Sequence, residues 1–191
     1  MMADILIGID EAGMGCIAGP LTAAIVVIRS DLIPVGVRDS KKLRDEKREE
    51  LAASIMDVAE YYEVQAISPE VIDRDGLSWC WLGAIRHLAM TTHIMRAPEE
   101  VEYILDGNRL VNLSYVRPVV KADATYPAVS AASILAKNAQ CGWMDDYHAM
   151  YPGYGFNVHH GYGTVTHLQK LKELGPCPIH RKSFKPVQQV L

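Results

Sequence analysis

Three acidic positions in this 191-residue chain could do metal chemistry: the doublet Asp10-Glu11, Asp106 and Asp123. The run Ile5-Leu6-Ile7-Gly8-Ile9 precedes the doublet, Val101 to Leu105 precedes Asp106, and Val119-Val120-Lys121-Ala122 precedes Asp123. A carboxylate at the end of a buried strand is held rigidly at the rim of a sheet. Several held there together make a hard oxygen site suited to Mg²⁺ or Mn²⁺. Such a site suits hydrolysis of a phosphodiester, where metals activate water and steady the leaving oxygen. One Asp after a strand is ordinarily a turn or cap residue. Three strand-end acids, one of them a doublet, set a metal site beside that plainer reading.

The elements that must position these acids follow from periodicity. Residues 3–9 and 20–28 predict buried strands, the second enriched in β-branched residues, with Gly13, Gly15 and Gly19 between them. A charged helix is expected over about 45–59, with Leu51, Ala52, Ile55 and Val58 on one side. A strand follows over 61–67, and Ser68-Pro69 reads as a helix cap and first turn. A longer helix spans 77–95, strands are expected over 101–105 and 115–120, and an Ala-rich helix over 126–149. A Gly/Tyr/His loop covers 151–163, and Thr164 caps a last helix ending at Gly175-Pro176. Strands come early and helices dominate later. This predicts an α/β fold, a mixed sheet flanked by helices with a helical C-terminal extension. Length and the lack of linkers predict one domain, residues 1–191, with the extension over about 151–191.

Hydrophobic residues make up 49% of the chain and charged residues 22%, which fits a globular fold rather than a disordered one. The net charge of −4 gives no global basic signature of a nucleic-acid binder, so any such binding needs a local basic face. Cys16, Cys80, Cys141 and Cys177 are scattered without a Cys-x-x-Cys pair, as expected of reduced thiols in the cytoplasm. Asp4 interrupts the short apolar start, so no secretory signal is expected, and no stretch is apolar enough to span a bilayer.

An ordered set of motifs resembles the ribonuclease HII family, the type 2 ribonucleases H. They are Asp10-Glu11-Ala12-Gly13, Ala18-Gly19-Pro20, Asp39-Ser40-Lys41-Lys42-Leu43, Asp106-Gly107-Asn108 and Lys121-Ala122-Asp123. Further on come Ser130 to Lys137, Tyr151 to Phe156, His160-Gly161-Tyr162-Gly163-Thr164 and Gly175 to Phe184. The resemblance implies a ribonuclease H-like fold, cleavage of RNA in RNA/DNA hybrids, and incision 5′ of single ribonucleotides in duplex DNA. It implies that Asp10, Glu11, Asp106 and Asp123 hold two divalent ions, and that the products carry 5′-phosphate and 3′-hydroxyl ends. It maps reading of the 2′-hydroxyl onto Gly13-Met14-Gly15 and Tyr162, whose ring would stack on the neighbouring deoxyribose. Glycines let backbone approach the ribose closely. A monomer is the default.

Two departures from the family stand out. Its arginine between the two glycines is Met14 here. Losing a charge-assisted phosphate contact costs about 1.5–3 kcal/mol of binding where nothing compensates. The basic-acidic run that follows Lys137 in the family is Asn138-Ala139-Gln140-Cys141 here, which removes positive charge near the expected duplex face.

Ser40, Lys41 and Lys42 are candidates for phosphate contact, against the plainer reading of a solvated helix entrance. Lys137, isolated in a small and apolar helix segment, is expected to face a ligand. Arg181 and Lys182 form a basic tail patch that fits duplex binding or solubility. Adjacent histidines point in different directions, so His159 and His160 are expected in a polar surface loop rather than on a metal. His180 is expected in a structural hydrogen bond, and Tyr151, Tyr154 and Phe156 in packing of the loop. Trp79 and Trp81 cannot share a helix face, so one belongs to the core.

Two other functions compete. A related type 3 activity would prefer runs of ribonucleotides and lack a strong junction preference; Met14 keeps it open, while the Tyr162 loop and the Pro178 to Phe184 tail favour type 2. A non-catalytic hybrid binder would keep its affinity in a chelator and never cut. The intact acidic set opposes that reading, since clustered carboxylates without metal repel one another and repel phosphate.

Overall fold

The computed structural model describes residues 4–37, 43–96 and 101–191. Its centre is a five-stranded sheet of order β3-β2-β1-β4-β5. Strands β1 (Ile5–Ala12), β2 (Leu21–Arg29) and β3 (Tyr61–Ile67) form an antiparallel meander, and β4 (Tyr103–Asp106) and β5 (Val116–Val119) add in parallel beyond β1. Helices α1 (Asp45–Val58) and α4 (Pro127–Met150) cover one face, while α2 (Pro69–Asp75) and α3 (Leu77–Arg96) cover the other. This is the mixed sheet flanked by helices that the pattern predicts. Among the described residues, no helix is long and apolar enough to cross a membrane.

Alternation along the strands decides what each face buries. Ile7, Ile9, Ala23, Ile25, Tyr103 and Leu105 pack on Trp81, Ile85 and Leu88 of α3. Ala24, Val26 and Ile28 pack on Leu51 and Ile55 of α1 and on Ala131, Ala132 and Leu135 of α4. Small residues let α4 lie very close to β1. A Cβ on Gly8 would sit 2.2 Å from the Ala128 carbonyl carbon, so only glycine fits there.

Strand β1 runs three residues further than its apolar run. Asp10, Glu11 and Ala12 still pair with Ala24, Ala23 and Thr22 of β2. Backbone pairing needs no apolar side chain, so the doublet lies within the strand rather than after it. Asp123 sits in a single 3₁₀ turn, Ala122–Ala124, separated from the end of β5 by Val120 and Lys121.

The C-terminal extension holds α5 (Phe156–His159), α6 (Val165–Leu174) and α7 (Lys185–Gln188). Tyr154 and Phe156 are buried and stacked, as expected of packing residues. The expectation of a polar surface loop fails for His159, which is buried. Its ring stacks on His167 at 4.1 Å between centroids, and His167 Nε2 lies 3.1 Å from His180 Nε2. The polar partners fix the protons. His180 Nδ1 accepts from the Cys177 N–H, which leaves its Nε2–H to donate to His167 Nε2. His167 Nδ1–H then donates to the Tyr162 carbonyl at 2.8 Å. Every ring is neutral, and no ring lone pair in this relay is left for a metal.

Burial holds both His167 and His180 down at about 4 in the fold, against about 6.5 for a free imidazole. The unfolded chain therefore binds more protons between these values. The contribution of the relay is complete above about pH 6.5 and is lost as the pH falls toward 4. At pH 5 the loss is about 2 kcal/mol per ring. Thermal melts at pH 7.5 and pH 5 should show this drop, and a His180→Gln form, already less stable at pH 7.5, should show a smaller one. The comparison cancels the titration of the carboxylates. An equal drop in both forms would remove the relay as the acid-sensitive element.

Candidate active site

The C-terminal ends of the parallel strands β1 and β4 and the turn after β5 bring the acids to one edge of the sheet. By strand alternation Asp10 points to the α4 face and Glu11 to the α3 face at the rim. Asp106 shares the α4 face with Ile104, and its Oδ1 accepts the Ala122 N–H at 2.7 Å. That bond ties the end of β4 to the turn carrying Asp123. Lys121 starts this turn in the left-handed region, at φ +57°. Ser130 of α4 donates to the Asp123 carbonyl, and Ser133, one turn along, serves the Asp10 carboxylate. The start of α4 thus anchors both carboxylate positions.

Asp10 is 5% exposed and accepts the Glu11 N–H at 2.8 Å. Burial, then the neighbouring Glu11 charge, push its carboxyl up to about 8, against the pull of Ser133. Burial also raises Glu11, opposed by Trp81 of α3 and, more weakly, by Arg109. The Arg109 guanidinium lies 5.0 Å over the Trp81 ring and donates to Ser78. Trp81 is the buried tryptophan, and Trp79 is exposed. The sequence reading did not select Arg109, although it directly follows Asp106-Gly107-Asn108. Trp81 was read only as a possible core residue, and nothing in the sequence says which tryptophan faces the acid.

The donor set fits a divalent cation. All four side chains offer hard oxygens. Glu11 Oε2 is buried and makes no well-formed hydrogen bond among the described residues, the Trp81 indole N–H being the donor beside its carboxylate. A buried carboxylate oxygen so poorly satisfied is costly, and a cation satisfies it. Among the described residues, no three His, Cys, Asp or Glu side chains are gathered closely enough to hold an ion by protein ligands alone.

Beside the acids runs a groove of about 500 Å³, lined by Glu11, Met14, Arg48, Ser133, Lys137 and Tyr162 among others. Gly13, at φ +87°, makes the turn out of β1, and a Cβ there would lie 2.6 Å from the Pro20 carbonyl oxygen. Gly15 sits against Tyr162, whose backbone bridges to Cys16. Tyr162 is 41% exposed, with Lys137 Nζ 5.0 Å over its ring. Lys137 also donates to Gln140, which in turn donates to the His160 carbonyl. The structure therefore gathers Gly13, Met14, Gly15, Lys137 and Tyr162 around one groove. Met14 leans partly on the apolar cluster under α3. Ser40, Lys41 and Lys42 lie outside the described residues.

Arg181 corrects its expectation as part of an exposed basic patch. It is fully buried, with Nε donating to the Gly19 carbonyl and Nη1 to the Met14 carbonyl. The guanidinium also lies 5.2 Å over the Phe184 ring. Burial lowers it to about 10, so it remains a cation at neutral pH. It supports the glycine loop from beneath. Of the two basic residues only Lys182 is exposed, and the Lys182 and Ser183 N–H groups are clamped by Asp73.

This sheet and its flanking helices define a ribonuclease H-like fold, and the chain is a metal-dependent ribonuclease. The family model for Ribonuclease HII matches residues 7–187, and the chain belongs to that family. Ribonuclease HII of Idiomarina loihiensis is 40% identical over 185 residues, covering 96% of this chain and 97% of that one. The crystal structure of ribonuclease H2 from Pyrococcus horikoshii OT3 superposes with a TM-score of 0.79 at 27% identity, covering 98% of this chain and 97% of that one. Bst-RNase HIII in complex with Mn²⁺ shares the fold, with a TM-score of 0.77 at 20% identity over 99% of this chain and 70% of that one.

Proposed function

We infer that Asp10, Glu11, Asp106 and Asp123 bind two divalent ions, Mg²⁺ or Mn²⁺. On this reading the chain cleaves RNA within RNA/DNA hybrids and incises 5′ of ribonucleotides embedded in duplex DNA. Held by these four carboxylates, such ions would supply the Lewis acidity that activates water and offsets charge on the departing 3′ oxygen, and the products would carry 5′-phosphate and 3′-hydroxyl ends. The residues around them bind and orient. Ser133 and the Glu11 N–H hold the Asp10 carboxylate, and the Ala122 N–H holds Asp106. The glycine loop presents backbone to the ribose, Tyr162 offers its ring to the adjacent sugar, and Lys137 meets the phosphate backbone. Ser40, Lys41 and Lys42, which lie outside the described residues, are further candidates for phosphate contact. The single observation that carries this reading is the buried Glu11 oxygen with no well-formed hydrogen bond among the described residues, in the wall of a groove that Lys137 and Tyr162 also line. The enzyme acts as one domain over 1–191, as a monomer and in the cytoplasm. The four buried free cysteines fit a reducing compartment.

The test uses two labelled duplexes, one with a single ribonucleotide in DNA and one an RNA/DNA hybrid, in Mg²⁺, Mn²⁺ and chelator. Metal-dependent cutting of both is expected, 5′ to the single ribonucleotide. Cutting of the hybrid alone would make the activity type 3-like and assign the loss to Met14. Binding that survives the chelator, with no cutting in either metal, would sink the catalytic reading.

A further inference from the structure

One side chain in the middle of α4 joins the parts of the groove to one another. Gln140 lies one turn beyond Lys137 and is fully buried. Its Oε1 accepts from the Lys137 ammonium at 2.7 Å, and its Nε2 donates to the His160 carbonyl at 2.7 Å. An ammonium only donates and a carbonyl only accepts, so these two partners fix the orientation of the carboxamide. Two thiols lie against it at longer range, Cys16 facing Nε2 and Cys141 facing Oε1, each at 3.8 Å. The apolar stem of the side chain is used as well. A Cβ on Gly13 would lie 3.4 Å from Gln140 Cγ, so the start of the glycine loop packs against the same residue.

The bond to His160 falls where the backbone needs holding. His160 sits at φ +45°, in the left-handed region that a β-carbon disfavours, and Gly161 follows at φ +83°. A non-glycine residue stays there when its surroundings over-determine it. The His160 carbonyl takes Gln140 Nε2 and, at 3.4 Å, the Cys16 thiol, while the Gly161 carbonyl takes the Ile17 and Ala18 N–H groups. Tyr162 comes next in the chain. Its ring is met by Lys137, whose ammonium Gln140 holds. Two routes, one through backbone and one through a cation, thus run from one carboxamide to Tyr162. The metal-site acids are held by other groups, Asp10 by Ser133 and the Glu11 N–H and Asp106 by the Ala122 N–H.

We propose that Gln140 is a positioning residue that sets Tyr162 against the glycine loop, and through that spacing sets the preference for a single ribonucleotide embedded in DNA. The proposal rests on the reading of Gly13-Met14-Gly15 and Tyr162 as the elements that recognise the junction. A hybrid offers a 2′-hydroxyl at every step of one strand, so a site whose two elements drift apart still finds a register it can use. A duplex with one ribonucleotide offers one such hydroxyl and one adjacent deoxyribose, and both elements must meet them together. Gln140 belongs to Asn138-Ala139-Gln140-Cys141, where this chain departs from the basic-acidic run of its family, so the link is made here by a neutral amide.

The experiment measures kcat/KM of the full chain on the two duplexes in Mg²⁺, well below the melting temperature, and takes their ratio. Gln140→Met keeps the volume of the side chain but neither hydrogen bond. Cleavage at the single ribonucleotide should fall about 10²-fold and cleavage of the hybrid roughly 10-fold or less, so the ratio moves by about 10-fold or more. Gln140→Glu, which keeps an acceptor for Lys137 but loses the donor to His160, should move the ratio the same way by less. Tyr162→Ala should also move it, and adding Gln140→Met to that variant should move it no further. An equal loss on both duplexes, with a lowered melting temperature, would overturn the proposal and make Gln140 a packing residue. A further shift in the double variant would overturn it too, since Gln140 would then act on something other than Tyr162. If Tyr162→Ala moves the ratio and Gln140→Met does not, the reading of the junction stands and Gln140 is excluded. If Tyr162→Ala leaves the ratio unchanged, or the unaltered chain cuts the hybrid alone, that reading falls and the proposal falls with it.

Discussion

Asp10→Asn should abolish cleavage, by on the order of 10³-fold or more, and yet make the metal-free protein more stable. The first effect follows from charge. Asn keeps the shape of the side chain and can still accept the Glu11 N–H, but it brings no anionic oxygen to a cation. The second follows from the state of Asp10 without metal. Burial and Glu11 push its carboxyl up to about 8, far above the 3.8 of an unperturbed aspartate. The folded chain therefore holds a proton that the unfolded chain releases. This residue costs stability progressively as pH rises from about 4 to 8, and the full cost remains above 8. Asn removes the ionisation, so the stability gain of the variant should grow across that window and then level off. For a chain of this size each kcal/mol moves the melting temperature by about 2–4 °C. Metal reverses the comparison. Mg²⁺ or Mn²⁺ should raise the melting temperature of the unaltered protein and do much less for the variant. Melts at pH 6 and 8.5, with and without metal, check all of this. A variant less stable than its parent in chelator at pH 8.5 would show that Asp10 is not held against its charge.

Periodicity located the sheet and the larger helices because their apolar faces are long. The sheet order and the helices that cover each face came only with the structure, since periodicity does not say which strands pair. What stayed hidden has a physical reason in each case. The extension of β1 through Ala12 depends on the backbone of β2, which continues to pair past the last apolar side chain of β1. The short helices α5 and α7 have four residues each, too few for a periodic signal, and tertiary contacts set them. His159 looked like a surface residue because its burial depends on stacking with His167, eight positions away. Arg48 was legible and passed over. Its spacing of three and four from Leu51 and Ala52 continues the apolar stripe of α1, and a charged residue on such a stripe is a buried cation. For the site, the four acids and the glycine loop with Tyr162 could be selected from the chain. Trp81 and Arg109 could not, since their relation to Glu11 crosses from α3 to the loop after β4.

Arg181→Ala should damage both fold and activity, although the residue reaches no groove surface. The chain from Cys16 to Gly19 is held on both sides. Ile17 and Ala18 donate to the Gly161 carbonyl, Gly19 donates to the Ile179 carbonyl, and Arg181 donates to the Ile17 carbonyl. The Arg181 side chain closes this arrangement from beneath, through the Gly19 and Met14 carbonyls. Alanine would leave those carbonyls without their donor and open a cavity beside Phe184. Together these cost about 3 kcal/mol or more. Arg181→Lys keeps the charge but cannot span two carbonyls with a planar fork, so it should recover only part of the loss. The glycine loop and Tyr162 are the elements that lose definition, while the acids on β1 and β4 are held independently by the sheet. Measured well below the melting temperature, the alanine variant should therefore lose kcat/KM for duplex cleavage by about 10²-fold. Its metal-induced rise in melting temperature should be nearly that of the parent. If that metal response disappeared along with the activity, Arg181 would be supporting the carboxylates as well, and the two halves of the site would not be separable.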